Sequence, residues 1–145
     1  MKLTAKELTV RHDSITAEAA LAAVAAVVRK GQEMGVAVNA AVVDAGGNLA
    51  GFLRAPDAFL TSIGIAIDKA YTAVSFRMPS GRLYDLIKDN PALREGIAQR
   101  DRVAAFGGGF PIIVDGRVVG GIGVSGASEE QDCLCAQAGL AALGL

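Results

Sequence analysis

The sequence is poor in several residue types that mark particular functional classes. Its 145 residues include two cysteines, one histidine and no tryptophan, and aromatic residues make up 5% of the chain. Lysine and arginine total 14 against 15 aspartate and glutamate residues, so the net charge is −1. There is no basic stripe with interleaved aromatics, and therefore no broad attraction to phosphates or anionic lipid. We predict neither a nucleic-acid partner nor a membrane partner.

The few cysteines and the apolar segments exclude further classes. Cys133 and Cys135 lie two positions apart in a segment with helical character, and such positions differ by about 200° around a helix axis. They are therefore poorly placed to pair with each other or to chelate one metal, and no cluster has metal-ligand spacing. The N-terminus lacks an apolar signal core, and the apolar stretch Ala19–Val28 is too short to cross a bilayer. We expect reduced cysteines, no metal site and a cytoplasmic location.

What is abundant is small apolar side chains. Hydrophobic residues make up 52% of the chain, mean hydropathy is +0.40, and there are 18 glycines. The length suits one domain over residues 1–145. This apolar content exceeds what one small core needs, which predicts a buried subunit interface and hence a homo-oligomer.

Helical signals occur in five segments. Ser14 or Thr16 can cap a first long helix, and Ser128 opens a capping box before the last one. Leu8–Arg11 reads as a short extended lead-in. The first predicted helix runs from its cap to about Met34, and the last runs from Ser128 to about Leu143. Between them we predict a long helix over Ala58–Phe76 and two short ones, Arg82–Lys88 and Ala92–Gln99.

Two hairpins supply the predicted strands. Val36–Val43 and Leu49–Arg54 flank a turn cluster, and Phe110–Val114 and Arg117–Val124 flank Asp115-Gly116. Tight hairpins exclude an all-parallel sheet. The order therefore predicts an α+β domain, with an antiparallel sheet covered by helices.

Two glycine motifs resemble catalytic or nucleotide-binding signatures. Residues 121–126 match GxGxxG, but a dinucleotide fold needs a further strand after the last helix, and acidic residues already occupy that helix start. We interpret these glycines as allowing close packing of a helix on the sheet. Ser125 resembles a nucleophile-elbow serine, but Ala127 replaces the second flanking glycine. Ser125 is better explained as a turn hydroxyl, with contact to a ligand as the alternative.

Lys69 is the first candidate functional residue. It lies in a helix of mostly small and apolar residues, so its charge requires a partner. One interpretation is a clamp for a ligand carboxylate, with Ser62 on the same stripe. The other is an internal salt bridge to Asp132 or Asp44.

Other candidates have equally open roles. Asp132 is a candidate general base or polar anchor, or simply complements the helix dipole. Tyr71 could donate a hydrogen bond to a substrate or stack on a macrocycle, or it packs in the core. Arg100 could meet ligand carboxylates or be solvated. Gly108 and Gly109 allow backbone to approach a ligand, or form a plain turn.

Four stretches carry a resemblance to a known family. Residues 42–54, 62–76, 106–126 and 130–139 are similar to the GlcG/HbpS-like family of heme-binding proteins, which includes the C-terminal domain of PduO-type corrinoid adenosyltransferases. The resemblance implies a profilin-like α/β/α fold with a five-stranded antiparallel sheet. It also implies assembly into dimers and higher oligomers, up to an octamer.

The resemblance leaves three functional hypotheses open. The first is an oligomeric protein that binds heme or a related tetrapyrrole, with His12 as the candidate iron ligand by its chemistry or else an ordinary surface residue. The second is a cofactor-free lyase or isomerase for a small aromatic or hydroxy acid in a catabolic pathway. The third is a structural oligomer that serves a partner protein. Few aromatics and a single histidine argue against heme, whereas Lys69 and the arginines favour a small anionic ligand.

Overall fold

The computed structural model describes all 145 residues and contains six helices and four strands. The predicted elements appear in their predicted order, with ends that differ by three residues or fewer. In chain order they are α1 (Ala5–Leu8), α2 (Ala17–Glu33), β1 (Asn39–Asp44), β2 (Leu49–Arg54), α3 (Thr61–Phe76), α4 (Ser80–Ile87), α5 (Pro91–Ala98), β3 (Gly109–Val114), β4 (Arg117–Ser125) and α6 (Glu129–Ala142).

The extended lead-in predicted at Leu8–Arg11 is correct at Thr9, whose backbone is extended, and wrong at Leu8. Leu8 is instead the last residue of α1, and residues 9–16 have no regular structure. Glu7 explains the difference, because its carboxylate accepts hydrogen bonds from the Thr4 backbone and hydroxyl at 2.8 Å and closes a capping box.

The sheet has four strands in the order β2-β1-β4-β3, and every neighbouring pair is antiparallel. The fifth strand that the resemblance implied is absent. The chain between α3 and β3 forms the two predicted short helices, α4 and α5, and a helix cap is clearest at the start of α5. The Asn90 side chain accepts from the Leu93 backbone, and Pro91 occupies the first turn of α5, where its missing N–H costs nothing.

Helices cover both faces of this antiparallel sheet, which gives three α/β/α layers. Helices α2 and α6 pack on one face, over a core that includes Val27, Ile122 and Val124. Helix α3 packs on the other face, over Ala41 and Val43. None of the helices combines the length and apolar character needed to cross a bilayer.

Glycines in β4 set how closely α3 approaches the sheet. A Cβ atom at Gly121 would meet the Ala70 carbonyl oxygen, and one at Gly123 would meet that of Ala66. The backbone of α3 therefore lies directly on the strand. This confirms that the glycines of the GxGxxG match allow close helix–sheet packing.

Candidate ligand-binding site

A buried ion pair connects the two helical layers past the end of β4. Lys69 lies on α3 and Asp132 on α6, and Lys69 Nζ is 3.0 Å from Asp132 Oδ2, with side-chain exposures of 1% and 4%. Lys69 Nζ also donates to the Val124 carbonyl oxygen at 2.8 Å and lies 4.9 Å from the centre of the Phe106 ring. Side chains on a helix lean toward its N-terminus, which carries this ammonium toward the end of β4. The predicted internal salt bridge to Asp132 is confirmed.

Asp132 is held at both carboxylate oxygens. Oδ1 accepts from the Ala127 backbone at 3.0 Å, while Oδ2 faces Lys69. Desolvation raises the pKa of the Asp132 carboxyl above its ordinary value, against the opposing effect of the Lys69 charge. A carboxyl with a perturbed pKa that lines a pocket is a candidate for functional chemistry.

Two glycines where β3 begins, Gly108 and Gly109, make room for this pair. Gly108 has φ of +123°, and a Cβ atom there would lie 2.8 Å from Lys69 Nζ. A Cβ atom at Gly109 would meet the Lys69 carbonyl oxygen. Ser80 holds this loop, because its hydroxyl donates to the Phe106 carbonyl oxygen at 2.6 Å and accepts from the Gly109 backbone at 2.9 Å. Both glycines therefore lie behind the site and shape it.

A small pocket of about 230 Å³ opens beside the ion pair. Ser62 and Ser125 are buried in it, and neither hydroxyl makes a hydrogen bond within the chain. Ligand pockets for drug-sized molecules hold roughly 300–1,000 Å³, so this one suits a smaller molecule. Its wall consists of Phe59, Ser62, Lys69, Phe106, Ser125 and Asp132, together with Glu129 and the turn after β4.

A larger groove of about 840 Å³ adjoins the small pocket and shares Phe106 and Glu129 with it. Tyr84 of α4 and Cys133 of α6 line this groove. Tyr84 is 46% exposed and its hydroxyl bonds to nothing in the chain. Desolvation raises the pKa of the Cys133 thiol, so this cysteine is held in its protonated form.

Three other candidates from the sequence lie elsewhere. Tyr71 is two positions after Lys69 on α3 and so faces away from it; Arg102 stacks on the Tyr71 ring at 3.7 Å. Arg100 is exposed and lies outside both cavities. His12 is exposed and lines a separate cavity of about 590 Å³.

Sequence reasoning missed Asn39 and Tyr84. Asn39 opens β1 and is fully buried behind the small pocket. The sequence did offer one signal for Asn39, because it is a polar residue inside the otherwise apolar run of residues 36–43. Tyr84 gave no comparable signal, because only the packing of α4 against the loop before β3 makes the groove.

The comparisons with known proteins agree with one another. The family described as haem degrading protein HbpS-like matches residues 15–141. An uncharacterized 15.0 kDa protein of Citrobacter freundii, encoded between dhaT and dhaS, is 40% identical over 128 residues, or 88% of this chain and 90% of that protein. The crystal structure of HbpS has a TM-score of 0.88 at 36% identity and covers 100% of both chains. The PduOC:heme complex has a TM-score of 0.83 at 34% identity, covering 89% of this chain and 94% of that one.

The fold and site define a class: a three-layer α+β domain with a small pocket where β4 ends and a larger groove beside it. The chain belongs to the HbpS-like family, because the family model matches most of its length.

Proposed function

We propose that this protein binds heme or a related tetrapyrrole in the larger groove. One observation carries the proposal: a cavity of about 840 Å³ presents a free phenol, Tyr84, and a thiol, Cys133, from two different helices. Tyrosine and cysteine both serve as heme ligands in proteins. The relative solved as the PduOC:heme complex, at 34% identity, supports this choice of ligand.

The groove fits such a molecule in its walls and its donor set. Val103, Ala105 and Phe106 supply apolar walls, and the phenol of Tyr84 is accessible without breaking any hydrogen bond. Tyr84 is the residue that would hold the iron, because its phenol is exposed and free of hydrogen bonds, whereas burial raises the pKa of the Cys133 thiol and disfavours the thiolate that binds iron. Bound heme would supply redox chemistry.

Charge decides which way heme would enter. The groove is also lined by Asp85, Glu129 and Glu130, and no lysine or arginine lines it. These carboxylates would repel the propionates of a bound heme and would favour an orientation in which the propionates reach solvent. Arg100, predicted to meet ligand carboxylates, does not line the groove.

Titration with hemin, followed by the Soret band, tests this proposal. We expect a saturable shift at one heme per chain. Ala105→Trp should fill the groove and weaken binding about 10-fold or more, because Ala105 is a half-buried wall residue. The matched control is Ala45→Trp, which fills the cavity beside His12 and should leave affinity unchanged. If Ala45→Trp weakened heme binding and Ala105→Trp did not, the heme site would be the cavity beside His12 and not the larger groove.

We also propose that the protein self-associates and works in the reducing environment of the cytoplasm. Large apolar side chains that are exposed in the single chain support self-association, among them Leu21, Phe59, Leu60 and Leu86. Both cysteines are free, as a reducing compartment requires.

Acid–base chemistry on a small aromatic or hydroxy acid is the second candidate function. The Lys69–Asp132 pair favours it, because a buried carboxyl of raised pKa lines a pocket with two uncommitted hydroxyls. Tyr71 faces away from this pocket, so Asp132 would move the proton. We expect any lyase turnover on such acids to fall about 100-fold or more in Asp132→Asn. Full turnover in that variant would remove Asp132 from the reaction.

A further inference from the structure

Arg102 is an exposed arginine whose side chain is nevertheless held in one position. Its guanidinium stacks on the Tyr71 ring, 3.7 Å from the ring centre, and its Nη2 donates to the Gly47 carbonyl oxygen at 3.1 Å. Arg102 forms no ion pair, so these two contacts are the ones that hold it. A planar guanidinium can stack on a ring and donate a hydrogen bond from its edge at the same time.

The backbone at Arg102 is held as firmly as the side chain. Its φ of +66° lies in the left-handed region, which L side chains rarely adopt. Thr72 ties the neighbouring backbone to α3, because its hydroxyl donates to the Arg102 carbonyl oxygen at 3.1 Å and accepts from the Ala104 amide at 2.9 Å. A strained conformation persists only where its surroundings enforce it, and such positions cluster at functional sites. The strain therefore directs attention to the segment that follows Arg102.

That segment is one wall of the larger groove. Residues 103–106 belong to no helix or strand, so no ladder of backbone hydrogen bonds holds them. Ala104 is buried and bonded to Thr72, whereas the other three residues of the segment line the groove. The contacts of Arg102 and Thr72 with α3 and the β1–β2 turn therefore fix which residues the wall presents to the groove.

We propose that Arg102 is a positioning residue: stacked on Tyr71, it fixes the wall formed by residues 103–106 and sets how readily a ligand leaves the larger groove. Tyr71 is the platform for this contact, which gives a role to a side chain that faces away from the small pocket. A Cβ atom at Gly47 would lie 2.9 Å from the Tyr71 ring, so the turn packs against the same platform. The effect on ligand release rests on the proposed heme site, whereas the effect on the wall does not.

Amide hydrogen exchange of the ligand-free protein tests the wall directly. The Ala104 amide is the reporter, because its hydrogen bond to Thr72 breaks when the wall opens. Arg102→Ala removes the stacking contact and keeps the unfavourable φ, so we expect Ala104 to exchange about 10-fold or more faster, with Val42 in the core of β1 unchanged. Arg100→Ala is the matched control, since Arg100 is also exposed and does not line the groove.

Two variants of Tyr71 separate the stacking contact from a general loss of stability. Tyr71→Phe keeps the ring and should exchange like the wild type, whereas Tyr71→Leu should match Arg102→Ala. Combining Tyr71→Leu with Arg102→Ala should add little, because both remove the same contact. Unchanged exchange of Ala104 in Arg102→Ala would overturn the proposal. So would equal acceleration of Ala104 and Val42, which would mean that the whole domain is destabilised.

Hemin dissociation tests the consequence for the groove. A ligand is released when the wall that encloses it opens, so hemin should leave Arg102→Ala about 10-fold faster than it leaves the wild type or Arg100→Ala. Faster exchange of Ala104 with unchanged hemin dissociation would overturn the role of Arg102 in ligand release. A wild type that binds no hemin would instead contradict the proposed function, and faster exchange of Ala104 would still support the role of Arg102 in holding the wall.

Discussion

Lys69→Met is expected to lower the free energy of unfolding by about 3–5 kcal/mol, because removing one member of a buried ion pair leaves the other without compensation. The Asp132 carboxylate would keep its bond to Ala127 and lose the ammonium 3.0 Å away. Urea denaturation of the variant and the wild type measures the difference.

The pH dependence of that loss identifies its cause. Without Lys69, only the hydrogen bond from the Ala127 backbone still opposes desolvation, so the folded pKa of Asp132 moves further above the ordinary 3.8. A carboxyl with a raised folded pKa contributes stability that is present below the unfolded pKa and is lost as pH rises through the folded pKa. The deficit of Lys69→Met should therefore be small in acid and grow as the pH rises. A deficit independent of pH would mean that lost packing, not charge, is responsible.

An exposed ion pair in the same chain is the control for this experiment. Lys88, which caps the C-terminus of α4, lies 3.7 Å from Asp85, with side-chain exposures of 45% and 68%. Solvent screens such pairs, and Lys88→Met should change the unfolding free energy by about 0.5 kcal/mol or less. A similar loss in Lys88→Met and Lys69→Met would contradict the special role of the buried pair.

Gly123→Ala should also be strongly destabilising, lowering the unfolding free energy by about 3 kcal/mol or more. The added methyl would fall on the Ala66 carbonyl oxygen, which belongs to the backbone of α3 and cannot rotate away. The helix must therefore move off the strand, and overpacking of this kind in a core costs about 1–3 kcal/mol or more. Thermal and urea unfolding both report the loss.

Gly64→Ala on the same helix is the matched control. Gly64 is exposed, and a Cβ atom there meets nothing within 4 Å. Alanine is the better helix former, so this variant should gain roughly 0.5–1 kcal/mol. Replacing glycine by alanine is thus expected to lower the free energy of unfolding at Gly123 and to raise it at Gly64, although the sequence alone does not distinguish the two positions. A loss at Gly64 would contradict the packing described for α3.

The sequence predicts most of the fold because its local signals are strong. Thr16 accepts a hydrogen bond from Ala19, as a cap should, and Ser128 forms its capping box with Gln131. Asp115 and Gly116 both have positive φ, which a tight hairpin turn requires. The one error of architecture, the fifth strand, came from the family resemblance and not from a local signal.

The site was less predictable, since it depends on which elements meet. A lysine among apolar residues indicates a partner, but only the fold decides between Asp44 and Asp132. Helical periodicity could have placed Tyr71 on the opposite side from Lys69, because positions two apart differ by about 200°. No local pattern indicates that α4 brings Tyr84 to the groove shared with Cys133.

The electron paramagnetic resonance spectrum of the ferric heme complex tests the central claim most directly. Binding through Tyr84 predicts a high-spin signal typical of phenolate ligation, lost in Tyr84→Phe and retained in Cys133→Ser and His12→Ala. A spectrum that is unchanged in Tyr84→Phe but altered in His12→Ala would contradict the account, because His12 lines a different cavity from Tyr84.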